Sequence, residues 1–148
     1  MTCYIMIGIP GSGKSTVAAQ LAGDGKIFSS DAQRKKLFGD ENCQNNPKLV
    51  FDTLYKQIED YMDNEQKTVV FDATNISRKT RHQIIDICKK HGYEAKAIVV
   101  KVSKETCIKR DRQRTRTVGE AVINRMYNSF EYPKLDEGFS EIRDIENE

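Results

Sequence analysis

The chain has 148 residues, of which 38% are hydrophobic and 31% are charged, as in an ordinary globular protein with one core. Its 24 basic and 22 acidic residues leave a formal net charge of only +2. This balance excludes a strong non-specific attraction to nucleic acid or to an anionic membrane. Any phosphate-binding surface must therefore come from how individual charges are placed.

The same composition argues against a membrane or secreted protein. Its apolar runs fall short of the roughly 20 residues that cross a bilayer. The four cysteines lack the spacing of a zinc site, and the N-terminus lacks the character of a signal peptide. We therefore expect a cytoplasmic protein without a membrane partner, folded as one domain over residues 1–148.

Short apolar runs alternate with segments of helical character along the chain. Residues 3–7 form a continuous apolar run that stops at glycine, which predicts a strand buried on both faces. Further strands are predicted at 26–29, 68–72 and 95–102, and helices at 14–22, 31–38, 48–65, 78–91, 104–112 and 119–130. Residues 40–47 are predicted to be a polar loop, and the C-terminal tail is acidic. This alternation predicts an α/β fold, a P-loop NTPase-like parallel sheet of four to five strands, ordered 2-3-1-4, with flanking helices.

The segment between the first strand and the first helix matches the phosphate-binding pattern G-x-x-x-x-G-K-[ST] at every fixed position. It is Gly8-Ile9-Pro10-Gly11-Ser12-Gly13-Lys14-Ser15-Thr16. Glycines allow the backbone to turn its N–H groups toward an anion, and the helix that follows adds the positive end of its dipole. Lys14 places a cation at the β- and γ-phosphates, and the Ser15 hydroxyl is suited to bind Mg²⁺. The sequence therefore predicts ATP and Mg²⁺ as cofactors of this loop.

A carboxylate at the end of the second predicted strand is a candidate general base. Asp31 follows Phe28-Ser29-Ser30, and the ends of parallel strands face the crevice where ligands bind. A carboxylate there can accept the proton of an incoming hydroxyl. Arg34, three residues later on the same helical face, can hold an anionic part of the acceptor. The structural alternative is that Asp31 only caps the helix at 31–38.

A second carboxylate ends the third predicted strand, in Asp72-Ala73-Thr74-Asn75. Asp72 occupies the position from which an acid orients a magnesium-bound water or pairs with Arg34. Its structural alternative is again a cap, here for the segment 74–78.

The segment from Lys109 to Arg116 carries five cations in eight residues. Such a run is often a solvated helix face. In a small kinase, however, an arginine-bearing lid must cover the γ-phosphate and exclude water, and we expect this lid at about 104–130. Arg110 and Arg114 are four residues apart, so they share a helical face and can reach one phosphate chain. Arg112 and Arg116 lie off that face and are expected to be exposed.

Together these motifs resemble the 5′-hydroxyl polynucleotide kinases of bacteriophage and of bacterial RNA repair, and more broadly the AAA-like P-loop kinases. The matching pieces are the phosphate loop, Ser30-Asp31-x-x-Arg34, Asp72-Ala73-Thr74-Asn75, and Arg110-x-x-x-Arg114 before a helix with Met126-Tyr127.

The resemblance implies a role for each matching residue. Lys14 and Arg114 would contact the transferring phosphate, and Arg110 would support the lid and the donor phosphates. Asp31 would be the general base on the 5′-hydroxyl, and Arg34 would grip the phosphate beside it. Ser15 and Asp72 would serve the metal. The substrate side would comprise Asp31, Arg34, Asp72, Thr74 and Asn75.

The favoured function is therefore ATP- and Mg²⁺-dependent phosphorylation of a 5′-hydroxyl end of DNA or RNA. A basic path to Asp31 would suit a nucleic-acid acceptor, and the candidates are Arg34, Lys35, Lys36, Arg78, Lys79 and Arg81. Two alternatives remain open: a kinase of a small molecule or of aminoacyl-tRNA on the same scaffold, and a nucleotide-binding ATPase or switch. A GTPase is disfavoured because an Asn-Lys-x-Asp segment is missing from the sequence.

Overall fold

A computed structural model describes residues 1–40, 46–114 and 117–148. The predicted elements are present with small shifts at their ends. The strands are β1 (Thr2–Ile7), β2 (Lys26–Ser29), β3 (Val69–Asp72), β4 (Glu94–Lys101) and β5 (Glu141–Glu146). The helices are α1 (Lys14–Ala22), α2 (Ser30–Phe38), α3 (Pro47–Asn64), α4 (Arg78–Lys90), α5 (Lys104–Arg112) and α6 (Glu120–Asn128), with a short 3₁₀ turn at Leu135–Glu137. Most of the predicted polar loop at 40–47 lies outside the described residues.

All five strands are parallel and follow the order β2-β3-β1-β4-β5, which confirms the predicted order of the first four. The acidic tail contains a strand whose position was not predicted, because Glu141–Glu146 pairs along β4 as a fifth strand. The strand signal is weak there because only Ile142 and Ile145 are apolar, and they pack against opposite faces of the sheet. The charged residues between them suit an edge strand, which must resist pairing with other chains.

The sheet buries both faces, as the continuous apolar strands predict. On one face, α3 and α4 pack against the strands around Phe71, and on the other α1 packs against Met6 and Val70. The free thiols of Cys3, Cys88 and Cys107 are buried. Cys43 lies outside the described residues. Among the described helices, none combines the length and apolar character needed to cross a membrane.

The parallel arrangement gathers the chemistry-bearing residues at one edge of the sheet. β1 leads into the phosphate loop, β2 leads into α2 at Ser30, β3 ends at Asp72, and β4 leads into α5. Since parallel strands end at a common edge, segments far apart in sequence meet there. The candidate site follows from this topology.

Candidate functional site

The phosphate loop adopts a backbone that only glycine tolerates well at two positions. Gly11 has φ +87° and Gly13 has φ +82°, both in the left-handed region. A Cβ on Gly11 would lie 2.7 Å from the Cys107 carbonyl oxygen. Gly13 caps α1 without any side-chain hydrogen bond, so the first N–H groups of the helix remain available for an anion. This cradle fits the phosphates of a nucleotide.

The two predicted metal residues meet at the start of α1. The Ser15 hydroxyl donates a hydrogen bond of 2.7 Å to Oδ2 of Asp72, and Asp72 is buried. These residues are 57 positions apart in sequence and are joined by the adjacency of β1 and β3. The capping alternative for Asp72 does not hold, because Ser77 caps α4 by accepting from the Thr80 amide. A hydroxyl and a carboxylate are oxygen ligands of the kind Mg²⁺ takes, so the pair fits this metal.

Asp31 and Arg34 form an ion pair on the first turn of α2. Arg34 Nη1 donates to Asp31 Oδ1 at 2.8 Å, and the Asp31 side chain is 48% exposed whereas that of Arg34 is 14% exposed. The helix is capped by Ser29, which accepts from the Ala32 amide at 3.2 Å. Capping therefore does not explain Asp31, whose half-exposed carboxylate remains accessible at the mouth of the site.

These groups share one cavity of about 290 Å³ at the carboxyl edge of the sheet. It brings together most of the predicted site residues. They are Pro10, Gly11, Gly13, Lys14, Ser15, Asp31, Arg34, Asp72, Thr74, Arg110 and Arg114. The cavity thus places cationic side chains, two carboxylates and the phosphate loop within one space.

The remaining predicted residues do not belong to this lining. Thr16 is exposed on α1, and Gly8 and Ser12 are packed together, since a Cβ on Gly8 would lie 2.7 Å from Ser12 Oγ. Asn75 is buried in a left-handed conformation with φ +48°, and its side-chain amide donates to the Met6 carbonyl at 2.8 Å. Asn75 therefore ties the loop after β3 to β1, and it lines a neighbouring groove rather than this cavity.

A buried carboxylate that the sequence analysis did not single out shapes the α5–α6 hairpin. Asp111 accepts hydrogen bonds of 3.0 Å from the amides of both Val118 and Gly119. This contact brings the start of α6 back over the end of α5. As a result Val118, Val122 and Met126 form an apolar wall of the cavity. The sequence offers one indication of this role, because Asp111 is an acidic residue within a basic segment.

The arginines of the basic segment have different surroundings. Arg110 donates from Nη1 to the Gly11 carbonyl at 3.2 Å and from Nη2 to the Asn147 carbonyl at 2.7 Å, so it braces the phosphate loop itself. Arg114 lines the cavity, with Nη1 3.9 Å from Asp111 Oδ1. Arg112 is exposed as predicted and pairs with Glu120. Arg116 lies outside the described residues.

Asn147, directly after β5, contacts the phosphate loop from the other side. Its side-chain amide donates to the Ser12 carbonyl at 2.8 Å. A Cβ on Gly13 would lie only 2.3 Å from the same nitrogen. Asn147 was not predicted as a site residue, because its position depends on β5, and the charged residues of β5 give only a weak strand signal.

The expectation that Arg81 lines a basic path to Asp31 is wrong. Its guanidinium is fully buried, donates from Nε and Nη2 to the Glu137 carboxylate, and donates from Nη1 to the carbonyls of Asn75 and Glu131. Arg78 pairs with Asp136 on the surface at 2.8 Å. Both arginines therefore hold the segment after α6 against α4.

Comparison with known proteins agrees with this fold. A family model described as an AAA domain matches residues 4–133. The protein named transcription factor bHLH140 of Arabidopsis thaliana is 32% identical over 145 residues, which is 93% of this chain. The chain spans only 15% of the length of that relative.

Three solved structures share the fold at low sequence identity. The Pnkp1/Rnl/Hen1 RNA repair complex contains a chain with a TM-score of 0.74 and 20% identity, covering 86% of this chain and 43% of that one. Kti12 of Chaetomium thermophilum, solved with ADP-AlF3, has a TM-score of 0.74 at 17% identity, covering 97% and 88%. A gluconokinase of Sinorhizobium meliloti has a TM-score of 0.67 at 16% identity, covering 99% and 82%.

These neighbours show a kinase-like arrangement, and the family model covers nearly the whole chain. With its phosphate loop, its five-stranded parallel sheet and the Ser15–Asp72 contact, the protein belongs to the AAA domain family and has a P-loop kinase-like fold for binding nucleotides.

Proposed function

We propose that this protein transfers the γ-phosphoryl group of ATP to the 5′-hydroxyl end of DNA or RNA. The observation that carries the proposal is the single cavity in which the phosphate loop faces the Asp31–Arg34 pair. A phosphate loop alone is common to switches and motors. A half-exposed carboxylate across from it, paired with an arginine, supports phosphoryl transfer to an acceptor.

In the proposed reaction, Asp31 accepts the proton of the attacking hydroxyl as the oxygen approaches the γ-phosphorus in line. Lys14 and Arg114 stabilise the negative charge that spreads over the equatorial oxygens. Arg34 holds the phosphate that follows the accepting nucleoside, since its fork suits an anionic oxygen pair. The wall formed by Val118, Val122 and Met126 limits access of water, which would otherwise compete as acceptor.

Ser15 and Asp72 are the residues that would hold Mg²⁺. When bound, the metal supplies charge neutralisation at the β- and γ-oxygens of the nucleotide. The chain's own contribution there is to position the Ser15 hydroxyl, and the 2.7 Å hydrogen bond to Asp72 does so.

The direct test is incubation with γ-labelled ATP and a panel of acceptors. The panel contains 5′-hydroxyl DNA and RNA oligonucleotides, the same oligonucleotides with a 5′-phosphate, aminoacyl-tRNA, and small hydroxyl compounds such as gluconate. We expect label on the 5′-hydroxyl oligonucleotides alone. Label on gluconate or aminoacyl-tRNA alone would assign the acceptor to the other kinase class, and ATP hydrolysis without any labelled acceptor would indicate a switch.

The role of Asp31 is tested with Asp31→Asn. Because a general base contributes about 10²- to 10⁴-fold, we expect kcat to fall by that factor while ATP binding, measured by calorimetry, is retained. Asp24→Asn is the matched control, since Asp24 is exposed in the turn between α1 and β2 at the opposite edge of the sheet. Full turnover by Asp31→Asn would remove Asp31 from the mechanism.

A further inference from the structure

A groove of about 800 Å³ opens beside the cavity, between the start of α3 and the start of α4. Thr74 lines both the cavity and this groove, so the two spaces are adjacent. We call this space the α3–α4 groove. One wall comes from α3 and the other from the segment that leads from β3 into α4. The lining residues are Pro47, Lys48, Phe51, Asp52 and Tyr55 on the first wall and Ala73, Thr74, Asn75, Ile76, Lys79, Thr80 and Gln83 on the second. The groove therefore begins where the proposed acceptor site ends.

The inner side of the α3–α4 groove is aromatic. Phe51 and Tyr55 lie one turn apart on α3, with ring centroids 6.1 Å apart, and the buried Phe71 stands behind Phe51. Phe51 is only partly buried, unlike Tyr55. Phe51 is therefore partly exposed in the groove, and its ring is held from behind by packing against Phe71.

Arg34 connects this aromatic surface to the reacting end. Its guanidinium carbon lies 5.9 Å from the centroid of the Phe51 ring, while its Nη1 donates to Asp31. The guanidinium thus stands between the carboxylate and the ring. A phosphate held by Arg34 would join a nucleoside at Asp31 to the next nucleotide at Phe51.

Both walls of the groove carry an exposed lysine, and the α3 wall also carries a carboxylate. Lys48 is 85% exposed and pairs with Asp52 one turn along α3. Lys79 is exposed on the facing wall. Exposed cations on either side of an aromatic surface form the arrangement by which proteins bind single-stranded nucleic acid, with the base stacked and the backbone held by charge.

We propose that the α3–α4 groove binds the second nucleotide of a single-stranded acceptor, with its base on Phe51 and its backbone phosphate near Lys79. This inference rests on the proposed 5′-kinase function and specifies its substrate. Two consequences follow. A dinucleotide is the smallest acceptor used well, and the accepting end must be unpaired, because a base in a duplex cannot lie against Phe51.

The test is a length series of 5′-hydroxyl acceptors with a common first nucleoside. It compares a nucleoside 3′-monophosphate, a dinucleotide, a tetranucleotide and a blunt hairpin. Stacking of one base on an aromatic ring corresponds to about 5- to 150-fold in affinity. We expect kcat/KM to rise by a factor in this range from the mononucleotide to the dinucleotide, to change little beyond it, and to fall for the blunt hairpin.

Two variants assign the gain to the groove. Phe51→Leu keeps an apolar side chain against Phe71 and removes the ring, and Lys79→Ala removes an exposed charge without touching the core. Both variants should lower the ratio of kcat/KM for the dinucleotide to kcat/KM for the mononucleotide. In Phe51→Leu this ratio should approach one. Lys56→Ala is the matched control, because Lys56 is an exposed lysine of α3 outside the groove lining, and its ratio should equal that of the unaltered protein.

The outcomes separate the two proposals. A flat length profile, an unchanged ratio in both variants, or equal use of the blunt hairpin would overturn the role of the groove and leave the 5′-kinase function standing. Failure to label any oligonucleotide while a small hydroxyl compound is labelled would overturn both. Should Phe51→Leu fail to fold, Lys79→Ala still decides the question, since its side chain is on the surface.

Discussion

Replacing Arg81 with methionine removes a buried cation that holds three segments together. Arg81 is fully buried, and its guanidinium donates to Glu137 at 2.8 and 3.0 Å and to the carbonyls of Asn75 and Glu131 at 2.8 and 3.0 Å. Methionine fills much of the same volume but has no donor. Arg81→Met therefore leaves the Glu137 carboxylate, which is 3% exposed, without its partner.

The expected loss is large compared with the stability of a domain of this size. Removing one partner of a buried ion pair costs about 3–5 kcal/mol, because the other charge stays buried and unpaired. The whole domain is expected to be stable by only about 5–15 kcal/mol. At about 2–4 °C per kcal/mol for a chain of this length, the melting temperature of Arg81→Met should fall by about 6–20 °C.

Urea unfolding followed by circular dichroism measures the effect, and a double-mutant cycle identifies its cause. The double variant Arg81→Met with Glu137→Met removes both charges of this pair, so it should regain at least half of the lost stability. Arg78→Met is the control, because the Arg78–Asp136 pair is exposed on both sides and contributes less than about 1 kcal/mol. A loss below about 1 kcal/mol in Arg81→Met, or a double variant no more stable than it, would refute this reasoning.

The pH dependence gives an independent check on the same pair. Burial alone raises the pKa of Glu137, but the hydrogen bonds from Arg81 and from the Lys134 amide outweigh it, and the net pKa is lowered. A carboxyl group whose pKa is lower in the folded state stabilises the fold when the pH is above its pKa in the unfolded chain, which is about 4.3. This stabilisation is lost as the pH falls through the pKa of the folded state. In Arg81→Met, burial acts on Glu137 without that arginine, so the difference in stability between the protein and Arg81→Met should shrink as the pH falls toward and below about 4.3.

Three further changes have distinct expected results. The hydrogen bond to Glu59 raises the pKa of His91. The protonated imidazole therefore stabilises the fold below about pH 6.5, and this stabilisation is lost as the pH rises through the folded pKa. Urea unfolding should show that His91→Gln costs up to about 1 kcal/mol near pH 6 and less near pH 9. Gly13→Ala should cost about 1–2 kcal/mol in thermal melts and weaken ATP binding in calorimetry, because the new Cβ is in a left-handed conformation against Asn147. Asp111→Ala leaves two amides without their acceptor, and should cost about 2–3 kcal/mol in urea and raise the KM for ATP in the kinase assay.

Each of these has a control or an opposing outcome. Gly39→Ala places a Cβ at φ +75° in open space, so it should show the backbone cost without the loss of ATP binding. A His91→Gln loss that grows toward pH 9 would mean that the imidazole is not held as a cation. An unchanged KM for ATP in Asp111→Ala would separate the α5–α6 hairpin from nucleotide binding.

The local sequence determined the phosphate loop and the helices and strands around it. Glycine at positions 11 and 13 permits a backbone that other residues resist, and continuous apolar runs are typical of strands that are buried on both faces of a parallel sheet. The short-range pair Asp31–Arg34 was likewise foreseeable, because residues three apart on a helix share a face.

The tertiary structure decided which charged residues face the cavity. The sequence alone does not distinguish Arg34 from Arg81 as candidates for the site. In the structure Arg34 lines the cavity, whereas Arg81 is buried and pairs with Glu137, 56 positions away. The strand β5 consists mostly of charged residues and forms only by pairing with β4, and this pairing brings Asn147 to the phosphate loop. The physical reason is that burying a charge requires a partner, and the chain supplies that partner from a distant segment only once the sheet has assembled.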